Sequence, residues 1–357
     1  MTGGCGRLGS RLVKALLSEP ACSVHVVSRN PTTNLHANAK YHSANLANVE
    51  QVAAILEKVK PRVIFHCASP DYLAPDKELW QTNVIGTRIL LKCAAKCPSV
   101  KGLVYTSSDS AIVPAAPEVM QTEETAKLYD EHSKIKMYCK TKAIGDREVL
   151  ATNNPPELLT AVLRIPKVYG GGDDKLIVAL LENLKKGQQN VQVGEDKLKY
   201  EFCYDGKVFE AHILAAKALL KELTSKPSKN RVNGEAFFIS DGISQPFFEF
   251  GRRVYALAGH PVAENEIKVM PLWFMAPLAS TLEWVYWAFS LGTKQPELRR
   301  WDMDHFKESV AWKIDKAKAV LEYEPVVDQD EVLKMCVESC MEYCGMKVDL
   351  DGPGGIE

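Results

Sequence analysis

Glycines at positions 3, 6 and 9, within Thr2-Gly3-Gly4-Cys5-Gly6-Arg7-Leu8-Gly9, commit the start of this chain to a tight turn into a helix. At that spacing, backbone N–H groups can approach a phosphate at the helix N-terminus. The pattern predicts a dinucleotide site when a strand precedes it and a helix follows. The helix is legible: Arg7 to Leu17 places Leu8, Leu12, Ala15 and Leu16 on one apolar side. The strand is not, because only Met1 precedes Thr2, and a strand usually takes about five residues. Two readings follow: the sequence lost its first residues, or the protein folds with a hole between two strands. The first is favoured.

Further along, short runs rich in β-branched and apolar residues alternate with helical periodicity. Strands are expected at Ser23–Ser28, Val63–Cys67, Leu103–Ser107 and Leu158–Arg164, and helices at Val49–Val59, Glu78–Lys96 and Ser133–Leu150. This rhythm predicts an α/β fold, a Rossmann-type doubly wound parallel sheet whose first strand is missing. Beyond about Gly170 the rhythm loosens into a helix at Val208–Leu223, a strand at Ala236–Ser240 and a helix at Pro246–Ala258. Residues 1–170 are therefore expected to form the NAD(P)-binding domain, with strands from about 200–240 returning to it. Residues 171–357 are expected to form mainly a smaller substrate-binding lobe, with ligands in the cleft at the strands' carboxyl ends.

A net charge of −1 and no basic run give no case for nucleic acid. Ten cysteines are scattered without paired CxxC spacing, which suits a reducing compartment better than a disulfide framework. Cys336, Cys340 and Cys344 fall on one helix face as small packing residues; no histidine or carboxylate set completes a metal site there, and no metal is expected.

Tyr138 and Lys142, in Tyr138-Cys139-Lys140-Thr141-Lys142, are one helical turn apart, and Ser107-Ser108 end a strand upstream. A phenol with an ordinary pKa of about 10 is a poor base at neutral pH. A lysine ammonium one turn away, with a cationic nicotinamide, favours the phenolate. That phenolate can take a proton from a substrate hydroxyl held by a serine while a hydride leaves the carbinol carbon. Alternatively, Tyr138 is a half-buried helix residue and Lys142 its exposed neighbour. Ser28-Arg29 closes the second expected strand, where a carboxylate would hold a ribose 2′-hydroxyl; Arg29 suits a 2′-phosphate, so NADP is expected ahead of NAD. Its other reading is a solvated loop charge.

With these motifs the chain resembles the extended short-chain dehydrogenases/reductases, and among them the 3β-hydroxysteroid dehydrogenase family, nearly end to end. Asn83-Val84-Ile85-Gly86-Thr87, Val104-Tyr105-Thr106-Ser107-Ser108 and Arg164-Ile165-Pro166-Lys167-Val168-Tyr169-Gly170 followed by Asp173 carry the likeness. Gly234-Glu235-Ala236-Phe237-Phe238-Ile239-Ser240 with Pro246-Phe247-Phe248, and Leu282-Glu283-Trp284-Val285-Tyr286-Trp287 with Leu291-Gly292-Thr293-Lys294-Gln295-Pro296, are similar to the branch acting on sterol 4α-carboxylates. Ser28-Arg29-Asn30-Pro31 resembles its fungal members.

The resemblance implies oxidation of a 3β-hydroxyl on a sterol or triterpenoid 4α-carboxylate, the β-keto acid then losing carbon dioxide without a metal. Ser108, Tyr138 and Lys142 would be catalytic. Cofactor contacts are implied for Gly3, Gly4, Cys5, Gly6, Arg7, Leu8 and Gly9, for Arg29, Asn45 and Leu46, for Cys67, Ala68, Ser69 and Asn83, for Pro166 and Val168, and for the catalytic three. Four residues depart from the family pattern: Arg7 for an aromatic, Asn45 for an aspartate, Lys167 for a small residue and Lys207 for an asparagine. They leave open a 3β-hydroxysteroid dehydrogenase with another substrate, or an NADP-binding paralogue without turnover.

Segment 271–291 is unusually apolar, with Trp273, Phe274, Trp284, Tyr286, Trp287 and Phe289. A spanning helix needs about 20 apolar residues, and Pro277 and Glu283 argue against one. The readings are an interfacial patch at the sterol entrance, a core helix, and a span, in that order. The resemblance implies peripheral attachment to the cytosolic side of the endoplasmic reticulum membrane, or a cytoplasmic protein, and a homodimer through the tyrosine-bearing helix.

Overall fold

The apolar runs form strands and the amphipathic runs cover them. A computed structural model describes residues 1–117, 119–225, 230–290, 296 and 298–346. The first half runs α1 (Arg7–Leu17), β1 (His25–Ser28), β2 (Lys40–Ser43), α2 (Val49–Val59), β3 (Val63–His66), α3 (Asp76–Leu79), α4 (Thr87–Ala95), β4 (Gly102–Ser108), α5 (Met137–Ala151) and β5 (Leu159–Ile165). The second half runs β6 (Lys167–Tyr169), α6 (Lys175–Lys185), β7 (Val191–Val193), β8 (Lys199–Tyr200), β9 (Phe202–Tyr204), α7 (Asp205–Glu222), β10 (Glu235–Phe238), β11 (Gln245–Pro246), α8 (Phe247–Leu257), β12 (Lys268–Met270), α9 (Leu272–Ser290), α10 (Arg300–His305), α11 (Asp315–Leu321) and α12 (Gln329–Tyr343).

Strands β10, β5, β4 and β3 lie side by side, all parallel, and β1 pairs with β2, also parallel. Met1 and Thr2 join the two groups. Thr2 N donates to Phe65 O at 2.9 Å, and Val27 N donates to Met1 O at 2.8 Å. Below that stub the two groups stand apart around a cavity of about 660 Å³, lined by Val24, Val27, Leu56, Val63 and Phe65 among others.

Helices α1, α7 and α11 bury Leu12, Val13, Leu16, Val208, Ala211, Ala215 and Leu321 on one sheet face. Helices α2, α4 and α5 bury Val52, Leu56, Leu90, Leu91 and Val149 on the other. A second core gathers α6, α8 and α12 around Leu181, Phe250 and Leu333, and Cys336 and Cys340 pack into it as expected.

Several boundaries move for local reasons. The helix expected at 133–150 starts at Met137, because Asp130 and Ser133 close a turn of their own, with Ser133 Oγ donating to Asp130 Oδ1 at 2.7 Å. The helix expected at 78–96 starts at Asp76 and passes through a π-helical stretch, Trp80–Gly86. Helix α7 begins at Asp205, three residues early. Strand β2 and helix α6 were not anticipated. The motif at Leu291 to Gln295 lies outside the described residues.

Candidate active site

The glycine turn is built for close approach. Gly3 has φ +73°, and a Cβ there would sit 2.7 Å from Ala68 Cα. A Cβ on Gly9 would overlap the Gly3 carbonyl oxygen, so helix and turn pack only without it. Gly6 caps α1 with no side-chain hydrogen bond and no acidic residue follows in the first turn, so the N–H groups there face no competing carboxylate. This is a cradle that fits a dinucleotide pyrophosphate. Arg7 turns away to Asp174 at 2.7 Å, and Arg11 pairs with Asp173 and Asp205, fastening α1 to the start of α6 and α7.

Strand β4 ends at Ser108, and α5 crosses beside it. Ser108 lies near the Tyr138 phenol and donates to Asp109 Oδ1 at 3.0 Å. Ser110 N donates to Ser108 Oγ at 3.2 Å, fixing the serine rotamer. Burial raises the Tyr138 phenol pKa, and the nearby Ser108 hydroxyl opposes that shift. Lys142 lies one turn on, buried, its Nζ donating to Thr106 O at 2.8 Å and lying 5.1 Å from the Tyr105 ring centroid. Burial pulls its pKa down to about 8. Ser108 ends β4 at the carboxyl edge of the sheet, and Tyr138 and Lys142 lie one turn apart on α5. A hydroxyl, a phenol and an ammonium in that order are a proton-transfer set.

Other expected residues fall around this centre. Cys67 Sγ accepts from Thr106 Oγ1 at 3.0 Å, and Ala68 abuts Gly3. Ser69 is partly buried and donates to Pro70 O at 3.1 Å. Asn83 is buried in the π-helical stretch, donating to Thr141 Oγ1 at 3.1 Å. Pro166 and Val168 follow β5, whose Ile165 pairs in register with Ser108. Leu46 is buried against Gly86. Asn45 is exposed, and its Oδ1 accepts from Ala47 N at 3.0 Å, a local turn. Arg29 follows β1 and is exposed, its Nη1 2.9 Å from Glu78 Oε1. Lys207 pairs with Glu210 at 2.7 Å on α7.

Sequence reasoning missed Asp109, Tyr72 and Trp301. Tyr72 meets Tyr138 edge-on at 6.4 Å, Trp301 lies 5.3 Å from Tyr72, and the Arg299 guanidinium sits 5.7 Å from the Tyr72 centroid. These rings wall one side of Tyr138. A cavity of about 750 Å³ opens beside them, lined by Asp109, Ser110, Ile112, Lys136, Cys139 and Trp301 among others, and reaching Glu283 on α9. Asp109 was readable as the residue after Ser108; Tyr72 and Trp301 carry no local signal, since over 220 residues separate them. Among the described residues, no group of three or more histidine, cysteine or carboxylate side chains could hold a metal.

The parallel sheet, the glycine turn and the Ser-Tyr-Lys set define the short-chain dehydrogenase/reductase class. Within it, the chain belongs to the 3-beta hydroxysteroid dehydrogenase/isomerase family, whose model matches residues 1–270. It is 43% identical over 306 residues to a decarboxylating sterol-4-alpha-carboxylate 3-dehydrogenase of Gibberella zeae, covering 85% of this chain and 99% of that protein. It is 30% identical to the protein of that name in Saccharomyces cerevisiae, covering 92% and 93% of the two chains. The fold also matches dTDP-glucose 4,6-dehydratase of Bacillus anthracis, solved with NAD, with a TM-score of 0.68, 21% identity, and 96% and 95% coverage. The family is one of NAD(P)-dependent oxidoreductases.

Proposed function

We propose that this protein oxidises the 3β-hydroxyl of a sterol or triterpenoid 4α-carboxylate to the ketone, with loss of carbon dioxide, using NADP, or NAD in its place. The carrying observation is the placement of Ser108 at the end of β4 and of Tyr138 and Lys142 one turn apart on α5, with Asp109, which accepts from Ser108 Oγ, and Cys139, which follows Tyr138, lining the 750 Å³ cavity. The 43% identical relative bears the name of that reaction.

Ser108 holds the substrate oxygen and Tyr138 takes its proton. Lys142 lowers the cost of the phenolate. The nicotinamide, when bound, accepts the hydride from the carbinol carbon. With the cofactor bound, the glycine turn and the α1 N-terminus would hold the pyrophosphate, and Arg29 would pair with a 2′-phosphate in place of Glu78. In the resulting β-keto acid the C4–carboxyl bond breaks, and its electron pair passes to the 3-oxygen as an enolate. Tyr138, now a phenol, and Ser108 donate to that oxygen. Residues 1–170, with β9 and β10 returning, form the cofactor part, and 171–357 mainly the substrate lobe.

The row of exposed aromatics on α9 supports contact with a membrane surface, and with it peripheral attachment to the endoplasmic reticulum. No helix among the described residues is long and apolar enough to cross a membrane.

The test is to incubate the purified protein with a 3β-hydroxy-4α-carboxysterol and NADP or NAD, following reduced cofactor and product mass. Reduced cofactor with loss of carbon dioxide supports the reading. Cofactor binding without turnover of this sterol or a carboxylated triterpenoid overturns it.

A further inference from the structure

Tyr138 gains a proton in each oxidation and must lose it before the next. The lysine side of the site leads inward: Lys142 donates to Thr106 O, and Thr106 Oγ1 is bonded to His212, all three residues being buried. The serine side leads outward. Helix α5 packs against the short 3-10 turn Asp109–Ala111 that follows β4, which sets Ser108 near the Tyr138 phenol. A hydroxyl has one proton and two lone pairs. Ser108 Oγ gives its proton to Asp109 Oδ1 at 3.0 Å and accepts from Ser110 N at 3.2 Å, which leaves one lone pair to accept from a phenol. Ser110 Oγ donates to the same Asp109 oxygen at 3.2 Å and holds the carboxylate in place. Asp109 and Ser110 line the 750 Å³ cavity, whose wall includes the exposed His132, Lys134 and Lys136; neither Tyr138 nor Ser108 lines it.

We propose that Asp109 is the proton exit of this site, taking the proton of Tyr138 through Ser108 and releasing it to water in that cavity. The inference rests on the proposed function and deepens it. Tyr138 donates its proton to Ser108 Oγ as Ser108 passes its own to Asp109 Oδ1, so the phenol becomes a phenolate and the carboxylate a neutral acid. Cavity water then takes the proton from Asp109, and Ser108 turns its new O–H back to the restored carboxylate. A carboxyl with an ordinary pKa of about 4 gives up a proton readily at neutral pH, so the path empties outward. The whole reaction stays in balance: one proton leaves through Asp109, and C4 takes one from water when carbon dioxide departs. Asp109 acts only through Ser108, and its part begins after the hydride has gone.

The test follows reduced cofactor by rapid mixing of the full chain, and of Asp109→Asn, with excess 3β-hydroxy-4α-carboxysterol and NADP or NAD. Asparagine keeps an acceptor for Ser108 but cannot take up its proton. The first turnover of Asp109→Asn should be as fast as in the wild type. Later turnovers should slow roughly tenfold or more, the scale of a lost proton-transfer group, so that a burst of one reduced cofactor per site precedes a slow steady rate. A merely structural role would slow both phases alike. Equal slowing of the two phases, or an unchanged steady rate, overturns the assignment. If Asp109→Asn does not fold, as read by its melting curve, Asp109→Ser decides by the same two phases. A wild type that reduces neither cofactor with this sterol instead overturns the proposed function, and the exit with it.

Discussion

Asp146 and Ser107 share a buried hydrogen bond of 2.8 Å, and the same carboxylate receives Arg164 from β5 through two contacts of 3.0 and 3.1 Å. Asp146 lies one turn beyond Lys142 and two beyond Tyr138, so all three project from one face of α5. The network therefore pins the helix that presents the phenol and the ammonium against β4 and β5. Replacing Asp146 by alanine leaves a buried guanidinium uncompensated and should destabilise by about 3–5 kcal/mol. Urea denaturation measures this; a change under about 1 kcal/mol would show that water or another group replaces the carboxylate.

Tyr138→Phe keeps the ring against Tyr72 and removes the proton acceptor. Oxidation should fall on the order of a thousandfold, several kcal/mol of barrier, with the melting temperature little changed. In the wild type, kcat/KM for oxidation should rise with pH, because burial keeps the phenol protonated at neutral pH. A flat profile together with an active Tyr138→Phe would exclude the phenol as base.

Much of this site was legible because its signals are local. The glycine turn, the Tyr-Lys spacing and the serine pair each lie within a few residues, and β4, α5 and α1 follow from periodicity. What escaped depends on contacts across the chain. Tyr72 and Trp301 meet only after α10 folds back, and Asp146 becomes a tie only when Arg164 arrives from β5. Strand β2 was missed because Lys40–Ser43 sits at the sheet edge, partly exposed and polar, without the apolar run that marked the central strands.

His66 is buried between Thr2 Oγ1 at 2.7 Å and Thr87 Oγ1 at 2.9 Å, and burial pushes its pKa down to about 3. His212, bonded to Thr106 and Val208 O, is lowered to about 4 by burial. The unfolded chain binds these protons near pH 6.5 while the folded one refuses them, so stability is full above that pH and falls as pH drops towards 3. His66 alone accounts for a loss on the order of 4 kcal/mol across that window. Denaturation midpoints at pH 7 and pH 4.5 check it, and His66→Gln should flatten the slope between them.

Arg29 and Glu78 form an exposed pair, worth about 0–1 kcal/mol, which a phosphate can displace at little cost. Arg29→Asp should weaken NADP by about tenfold or more, the size of one charge-assisted contact, and swing preference towards NAD. Paired titrations with the two cofactors measure it; an unchanged ratio would place 2′-phosphate recognition elsewhere.

Helix α9 exposes Trp273 by 78%, Trp284 by 67%, Trp287 by 62% and Phe289 by 89%, an apolar row no described element covers. Its Glu283 lines the cavity that Asp109 and Ser110 also line, so the row and that cavity share one helix. Burying one such ring in a bilayer interface is worth about 1.5–3 kcal/mol. Replacing Trp284 and Trp287 together by serine should therefore lower binding to phospholipid vesicles by at least about tenfold, while turnover of detergent-dispersed sterol stays near wild type. Flotation of both forms with vesicles reads this directly, and equal flotation would mean that the aromatic row does not touch the membrane.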